Sequence, residues 1–187
     1  MNERVLPTEP GASDMTRSHV VLVDENDTAI GTMPKMEAHE VGRLHRAFSV
    51  FVFNDRYELL MQKRAHQKYH SGGLWTNTCC SHPPLDQEVK LSAAHRLQEE
   101  MGFSCELQAC FGFVYRAEME NGLIEHEYDH VFTGTFNGEP HPDPDEVSEW
   151  KYVSVPFLLD DIEKNPHLYT TWFCMSFPRV CRALAII

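Results

Sequence analysis

Residues 86–103 read Asp-Gln-Glu-Val-Lys-Leu-Ser-Ala-Ala-His-Arg-Leu-Gln-Glu-Glu-Met-Gly-Phe, and this stretch predicts the main helix of the chain. Its apolar residues recur at intervals of four, which places them on one face of a helix: Val89, Ala93, Leu97 and Met101. Asp86 is suited to cap the N-terminus of the helix, and Gly102 is suited to end it. We therefore expect one amphipathic helix over 86–102 that packs a single face on the core.

Strand-like segments lie on both sides of this helix. Runs rich in β-branched and aromatic residues precede it at 19–23, 28–33, 47–53 and 58–64, and others follow it at 111–115, 124–136 and 150–153. Asn54-Asp55-Arg56 predicts a hairpin of 47–53 with 58–64, and Asn121-Gly122 is a second hairpin-type turn. Two further helices are predicted at about 155–164 and 168–186. This mixture indicates an α+β or mixed α/β sandwich, a mixed sheet flanked by helices.

The chain of 187 residues suits one domain with a real core. Residues 1–17 contain two prolines, one glycine and no apolar periodicity, so we expect a loose tail there. The remaining residues, 18–187, are predicted to form a single domain, since no internal repeat or second domain is evident.

The chain is acidic, with a formal net charge of -12. Such a surface repels nucleic-acid backbones and anionic membranes, so neither is an expected partner. No apolar run approaches the ~18 residues of a membrane span, and the N-terminus lacks the apolar core of a signal peptide. The six cysteines lack the spacing of a disulfide scaffold, which favours a reducing, cytoplasmic setting.

Two adjacent thiols and an imidazole stand close together in the stretch 74–83. Cys79 and Cys80 are neighbours, and a disulfide between neighbours is strained. Burial, metal ligation and nucleophilic or acid–base chemistry are the remaining uses for such thiols. With His82 two residues further on, this stretch is the first candidate for a functional site.

A second group of residues has the chemistry of a metal site. Glu125 and Glu127 are two apart on a predicted strand, so both side chains face the same way and repel unless a cation or proton lies between them. His39, His45 and His82 would complete a nitrogen–oxygen site for Zn²⁺, Mn²⁺ or Mg²⁺. The alternative is that these are ordinary exposed residues, because 11 histidines are scattered along the chain.

A third group is basic: Lys35, Arg64, Lys68 and Arg96. In so acidic a chain, these side chains could grip a phosphate. On the residues alone, a solvated hairpin end is the simpler explanation.

The end of the main helix, residues 97–103, carries Glu-Glu-x-Gly followed by an apolar residue. This pattern resembles the latter half of a Nudix box, a strand–loop–helix motif that presents glutamates to Mg²⁺-bound diphosphates. The alternative is a charged helix that ends at a glycine, which is common. The box is incomplete, because His95-Arg96-Leu97 replaces the usual Arg-Glu and hydrophobic residue, and the upstream glycine and glutamate positions fall near Ser81 and Gln87. Loss of an acidic metal ligand indicates that a diphosphate is held but not hydrolysed.

With these motifs assembled, the chain resembles the type I isopentenyl-diphosphate isomerases, Nudix-fold enzymes of isoprenoid synthesis. The resemblance runs from about His19 to about Trp172. Its specific parts are Ala38-His39, Arg43-Leu44-His45, Trp75-Thr76-Asn77-Thr78-Cys79-Cys80-Ser81-His82-Pro83, Glu99-Glu100-x-Gly102, Tyr115-Arg116-Ala117 and Glu125-His126-Glu127. The loop between His39 and His45 is shorter than in some relatives, and the tail has no evident counterpart.

The resemblance implies a role for each matched residue. Cys80 and Glu127 would be the proton donor and acceptor on opposite faces of the substrate, assisted by Tyr115 and Trp172. The metal ligands would be His39, His45, His82, Glu125 and Glu127 for one divalent ion (Mn²⁺, Zn²⁺ or Mg²⁺). Glu100 would bind a second ion, Mg²⁺, which accompanies the diphosphate. Lys35, Arg64, Lys68 and Arg96 would bind the diphosphate itself.

The expected activity is therefore the interconversion of isopentenyl diphosphate and dimethylallyl diphosphate by a monomer whose partner is a small diphosphate. Two alternatives remain open from the sequence. One is a Nudix hydrolase of a nucleoside diphosphate derivative, which has no use for Cys80. The other is a non-catalytic metal-binding module built on the same residues.

Overall fold

The computed structural model describes residues 18–186, so the tail predicted at 1–17 lies outside the described part of the chain. Within that part, nine strands form one mixed sheet. The strands are β1 (His19–Val23), β2 (Ala29–Pro34), β3 (His45–Phe53), β4 (Glu58–Arg64), β5 (Trp75–Thr76), β6 (Cys79–Ser81), β7 (Leu107–Glu118), β8 (Ile124–Thr135) and β9 (Val147–Ser154). The helices are α1 (Lys35–Val41), α2 (Val89–Met101), α3 (Val155–Lys164) and α4 (Thr171–Ala183), with short 3-10 turns at Glu120–Gly122 and Pro166–Leu168. The predicted α+β class is confirmed.

Strand β3 is the centre of the sheet. One edge pairs in parallel with β8 along its whole length, from His45 opposite Glu127 to Phe53 opposite Thr135. Its other edge meets β1, β6 and β4 in turn. A strand with neighbours on both edges and helices over both faces is apolar throughout, which explains the continuous run at 47–53.

The predicted hairpin of 47–53 with 58–64 is largely wrong. The two strands meet only beside their turn, where Phe53 lies opposite Leu59. Beyond that point β4 pairs with β9, from Glu58 opposite Ser154 to Arg64 opposite Val147. The second predicted turn does join paired strands, because β7 and β8 run antiparallel on either side of Asn121-Gly122.

Two apolar layers cover the sheet. On one face, β3 contributes Phe51 and Phe53 to a cluster with Phe173 and Phe177 of α4. On the other face, Phe48, Val50 and Val52 pack with the buried side of α2, which consists of Ala93, Leu97 and Met101. The alternation of side chains along β3 accounts for this division, and the predicted apolar face of the main helix is confirmed.

The main helix starts later than predicted. It begins at Val89 with Glu88 as its N-cap, whereas Asp86 lies in the preceding turn. Its end agrees with the prediction, because Gly102 adopts φ 72 and its backbone N–H donates to the carbonyl of Gln98. Helix α1 has no counterpart in the sequence prediction, since its seven residues are mostly polar and bury only Ala38 and His39. None of the helices within residues 18–186 combines the length and apolar character that a membrane span requires.

Candidate active site

The histidine–glutamate cluster, defined as His39, His45, His82, Glu125 and Glu127, lies where β3 and β8 begin. Parallel pairing places His45 directly opposite Glu127. Helix α1 supplies His39, and the residue after β6 supplies His82. Four separate segments therefore converge on one point, and the period of two along β8 turns both glutamates toward it.

The cluster is tightly packed and almost fully buried. Nε2 of His82 lies 2.9 Å from Oε1 of Glu127 and 3.2 Å from Nε2 of His45. His39 and His45 are each 0% exposed, and Glu127 is 6% exposed. Ligand atoms of His39, His45, His82 and Glu127 all lie within 4.8 Å of one another.

Backbone contacts fix the tautomer of two histidines. Nδ1 of His39 lies 2.7 Å from the carbonyl of Lys35, and Nδ1 of His45 lies 2.8 Å from the carbonyl of Arg43. Because a carbonyl only accepts, each Nδ1 carries the hydrogen and each Nε2 presents its lone pair to the cluster. Nε2 of His39 has no hydrogen-bond partner among residues 18–186.

Burial and charge set the protonation states. Burial lowers the pKa of His82 to about 3 and also lowers that of His39, so both imidazoles are neutral, the form that binds metal. Burial and the charge of Glu127 raise the pKa of Glu125 well above its usual range. Burial would also raise the pKa of Glu127, but the close contacts with the imidazoles of His45 and His82 outweigh it and hold that pKa well below normal.

Tyr115 links the two glutamates. Its hydroxyl lies 2.8 Å from Oε2 of Glu125 and 2.6 Å from Oε2 of Glu127. One hydroxyl carries one hydrogen, so two neighbouring carboxylates need a further proton or a cation between them. Neutral imidazoles and paired carboxylates form a donor set that fits a divalent cation.

A cavity opens beside this cluster. It is lined by most of the other residues that the sequence singled out, namely Lys35, Arg64, Lys68, Cys80, Arg96, Glu100 and Trp172. His82, Tyr115, Glu125 and Glu127 line the same cavity, whereas His39 and His45 are fully buried and do not line it. The structure thus brings all of the predicted site residues together.

The two adjacent cysteines have different surroundings. Cys79 is 0% exposed and belongs to the apolar cluster under α2. Cys80 points the other way and lines the cavity, as strand alternation along β6 requires. Burial raises the pKa of the Cys80 thiol to about 12, although Arg64 opposes the shift, so the sulfur keeps its proton at neutral pH.

The four basic residues form two pairs with different partners. Burial and the charge of Arg64 lower the pKa of Lys35 to about 8. Such crowding of positive charge favours an anion between Lys35 and Arg64. Lys68 and Arg96 instead both contact the carboxylate of Glu146, and Arg96 also lies 2.5 Å from Oε1 of Glu100.

Trp172 and Glu100 both line the cavity. The indole of Trp172 is 3% exposed, donates to Oδ1 of Asn77 over 3.2 Å and lies 5.2 Å from the guanidinium of Arg64. Glu100 is 5% exposed and accepts a hydrogen bond from Gln62. Both side chains are therefore fixed in place.

Three further residues lie in or beside the site and were not predicted from the sequence. Asp129 continues the alternation of Glu125 and Glu127, and burial together with Glu127 raises its pKa to about 8. That alternation was a signal that could have identified it. Glu146 and His70 gave no such signal, because their contacts with Lys68, Arg96 and Glu125 bridge distant parts of the chain.

Comparison with known proteins places the chain in a family. The NUDIX domain model matches residues 43–173. Isopentenyl-diphosphate Delta-isomerase 1 of Aromatoleum aromaticum is 54% identical over 165 residues, covering 87% of this chain and 93% of the relative. Isopentenyl-diphosphate Delta-isomerase of Pectobacterium atrosepticum is 49% identical over 166 residues, covering 89% of this chain and 93% of the relative.

Solved structures show the same fold at low sequence identity. DR0079 from Deinococcus radiodurans superimposes with a TM-score of 0.73 at 14% identity, covering 87% of this chain and 98% of that chain. The MutT protein from Methanosarcina mazei Go1 gives a TM-score of 0.61 at 17% identity, covering 74% and 94%. The identities with the curated relatives are far higher, and the chain belongs to the type I isopentenyl-diphosphate Delta-isomerase family of the Nudix superfamily.

Proposed function

We propose that this protein interconverts isopentenyl diphosphate and dimethylallyl diphosphate, in isoprenoid biosynthesis, by adding one proton and removing another. The observation that carries the proposal is a single cavity in which a protonated thiol, Cys80, and an ionised carboxylate, Glu127, both face the interior. A hydrolase of phosphate anhydrides needs no such thiol. Family membership supports the same reaction.

The chemistry requires an acid and a base at once. An unactivated alkene is a very poor base, so proton transfer from the Cys80 sulfur to the terminal carbon produces a tertiary carbocation-like state. Glu127 then takes a proton from the carbon on the other side of the cationic centre, which moves the double bond. Cys80 and Glu127 act on opposite faces of a flat carbon skeleton, and each ends the forward reaction with the opposite protonation.

Glu127 can be a proton acceptor and a cation ligand because its two oxygens have different partners. Oε1 faces His45 and His82, and Oε2 faces the hydroxyl of Tyr115. Tyr115 therefore helps to set where a proton resides on the carboxyl group. A divalent cation on the cluster would supply positive charge that keeps one oxygen ionised.

The carbocation-like state needs electron-rich walls and protection from water. Trp172, buried at the cavity wall, would stabilise that state by a cation–π interaction worth up to about 2 kcal/mol. The guanidinium of Arg64 lies near the same ring, so Trp172 would contact the hydrocarbon part of the substrate while Arg64 contacts its charged end.

The diphosphate would be held by Lys35, Arg64, Lys68 and Arg96. Lys68 and Arg96 are engaged by Glu146, so they must exchange that carboxylate for phosphate oxygens. Glu100 would hold the Mg²⁺ that accompanies the diphosphate, and the His/Glu cluster would hold Mn²⁺, Zn²⁺ or Mg²⁺. The proposal also places the protein in the cytoplasm as a monomer.

The decisive experiment incubates the protein with isopentenyl diphosphate and Mg²⁺ in D₂O and follows the carbon skeleton by NMR. We expect deuterium incorporation and formation of dimethylallyl diphosphate. Cation binding without any exchange would instead support a non-catalytic metal module. Cleavage of a nucleoside diphosphate-sugar in a parallel reaction would support a hydrolase and contradict the proposal.

A further inference from the structure

His70 lies beside the histidine–glutamate cluster without a role in the reaction described so far. It is 3% exposed, and it comes from the loop between β4 and β5. Its Nε2 lies 3.2 Å from Oε1 of Glu125. Even so, Nε2 makes no aligned hydrogen bond with any residue in the range 18–186.

His39 has the same unusual property. Its Nε2 is also buried and without a hydrogen-bond partner among the described residues. Leaving a buried polar nitrogen unpaired destabilises the folded chain, so two of them side by side require an explanation. Ligand atoms of His39, His70 and Glu125 lie within 4.8 Å of one another, a separation that one bound cation can span.

The two ligand groups overlap at His39. That residue also lies within 4.8 Å of His45, His82 and Glu127, so the group containing His70 adjoins the first group and is not a separate site. The Tyr115 hydroxyl lies within hydrogen-bond distance of both Glu125 and Glu127, which connects the two groups again.

The surroundings of His70 hold its ring in place. Its ring packs edge-on against Tyr69, at 4.3 Å between centroids, and against Trp172, at 5.8 Å. Its carbonyl accepts a hydrogen bond from Arg64, and its Nδ1 lies 3.3 Å from the hydroxyl of Ser71. The Ser71 hydroxyl can accept a hydrogen from Nδ1, and in that tautomer the Nε2 lone pair is available toward Glu125 and His39.

We propose that His70 is a further ligand of the divalent cation, through Nε2, in the corner formed with His39 and Glu125. This inference rests on the proposed function, which places a cation at the cluster. The site then offers four imidazoles and two carboxylates. A fourth nitrogen ligand shifts selectivity away from Mg²⁺, which prefers oxygen, and toward ions such as Mn²⁺, Co²⁺ and Zn²⁺. It also ties the cation to the loop that carries Lys68.

The test loads the wild-type protein with Co²⁺ and counts the paramagnetically shifted imidazole N–H protons by NMR. We expect four ligating imidazoles in the wild type and three in His70→Ala. Competition with a chelator should show at least a tenfold loss of Co²⁺ affinity in that variant. His66→Ala is the matched control, because His66 is an exposed residue of the same loop and should change neither quantity.

The outcomes separate this inference from the function on which it rests. Wild-type protein that binds Co²⁺ through three imidazoles, with His70→Ala unchanged in affinity, would overturn the inference and leave the proposed function standing. Full recovery of affinity in His70→Gln would also overturn it, because an amide can replace a hydrogen bond to Glu125 but not an imidazole ligand. Failure of the wild type to bind Co²⁺ would instead contradict the cation site itself. The count in the wild type needs no variant, so it holds even if His70→Ala does not fold.

Discussion

Cys79 and Cys80 are neighbours in the chain, but their side chains lie on opposite faces of the sheet. Replacing Cys80 with Ala removes the proton donor, so we expect turnover to fall by about 10²- to 10⁴-fold with the fold intact. Cys79→Ala should keep most of the activity and lose about 1 kcal/mol of unfolding free energy, because it leaves a small gap under α2. Steady-state kinetics and denaturant unfolding of both variants measure this. Equal loss of turnover in both would show that the thiols share a structural role.

Substitutions of Glu127 and Glu100 are expected to have different effects on cation binding and catalysis. Glu127→Gln weakens the cluster and removes the proton acceptor, so both bound cation and kcat should be lost. Glu100 lies on α2 and is not part of the cluster. The Glu100→Gln variant should therefore keep the cluster cation and mainly raise KM for the diphosphate. Metal analysis of dialysed protein, together with kcat and KM, distinguishes them. Wild-type kinetics in either variant would remove the role assigned to that residue.

Some of these residues are predictable from the sequence on physical grounds, and others only by resemblance. The spacing of Glu125 and Glu127 was enough to place both carboxylates on one face. The convergence of His39, His45 and His82 was not predictable from spacing, because it depends on how β3, β6 and α1 pack. His70 was missed for the same reason, since its contact with Glu125 joins a loop to a distant strand.

At the scale of elements, the position of each strand was easier to predict than its partner. The patterns at 47–53 and 58–64 are strand-like by themselves, and a short turn between them favours a hairpin. The apolar character of β3 on both faces was the contrary signal, because it is typical of a strand in the middle of a sheet. Pairing of β4 with β9 joins residues about 90 positions apart, and no local pattern encodes it.

The end of α2 depends on Gly102. Its φ of 72 disfavours any side chain, and a Cβ there would lie 2.2 Å from the carbonyl oxygen of His141. Gly102→Ala should therefore lose about 3 kcal/mol or more of unfolding free energy. Gly122→Ala is the control, since Gly122 has φ 75 with open space around it and should lose only about 1–2 kcal/mol. Urea denaturation compares the two, and equal losses would show that the contact with His141 is unimportant.

Glu146 connects the loop after β8 to the site through Lys68 and Arg96. Burial would raise its pKa, but these two cations outweigh burial and lower the pKa below the usual value of 4.5. A carboxyl with a lowered folded-state pKa stabilises the protein above its unfolded-state pKa, and that contribution disappears as the pH falls. Glu146→Gln should thus be less stable than the wild type by about 1 kcal/mol at pH 7, after allowance for solvent screening.

The pH dependence tests that explanation. The difference between Glu146→Gln and the wild type should shrink as the pH falls below about 4.5, where the wild-type carboxyl becomes protonated. Glu139→Gln, at an exposed position of the same loop, should match the wild type at every pH. Urea denaturation between pH 7 and pH 3.5 measures both variants. A constant difference across this range would mean that charge on Glu146 does not contribute.

At the scale of the whole molecule, the fold buries apolar residues over most of the sheet and collects charge at one end. Apolar layers cover both faces of β3 beyond its start, while the start of β3 and β8 carries the cluster. The sequence predicted the α+β class because strand and helix patterns are local. It did not predict that the histidine–glutamate cluster would assemble at one end of two parallel strands, because that follows from the pairing of β3 with β8.

This arrangement makes stability depend on the cation. Without a cation, one of two neighbouring buried glutamates must take up a proton or repel the other, so a cation that binds only the folded state should raise the melting temperature. At a free cation concentration of 100 times the Kd, the gain is about 2.7 kcal/mol. We expect chelation to lower the melting temperature of the wild type and Mn²⁺ to restore it, with little response in Glu127→Gln. Glu163→Gln, an exposed position on α3, should respond like the wild type. If differential scanning calorimetry gave one melting temperature for the wild type with chelator and with Mn²⁺, the cluster would not be a cation site.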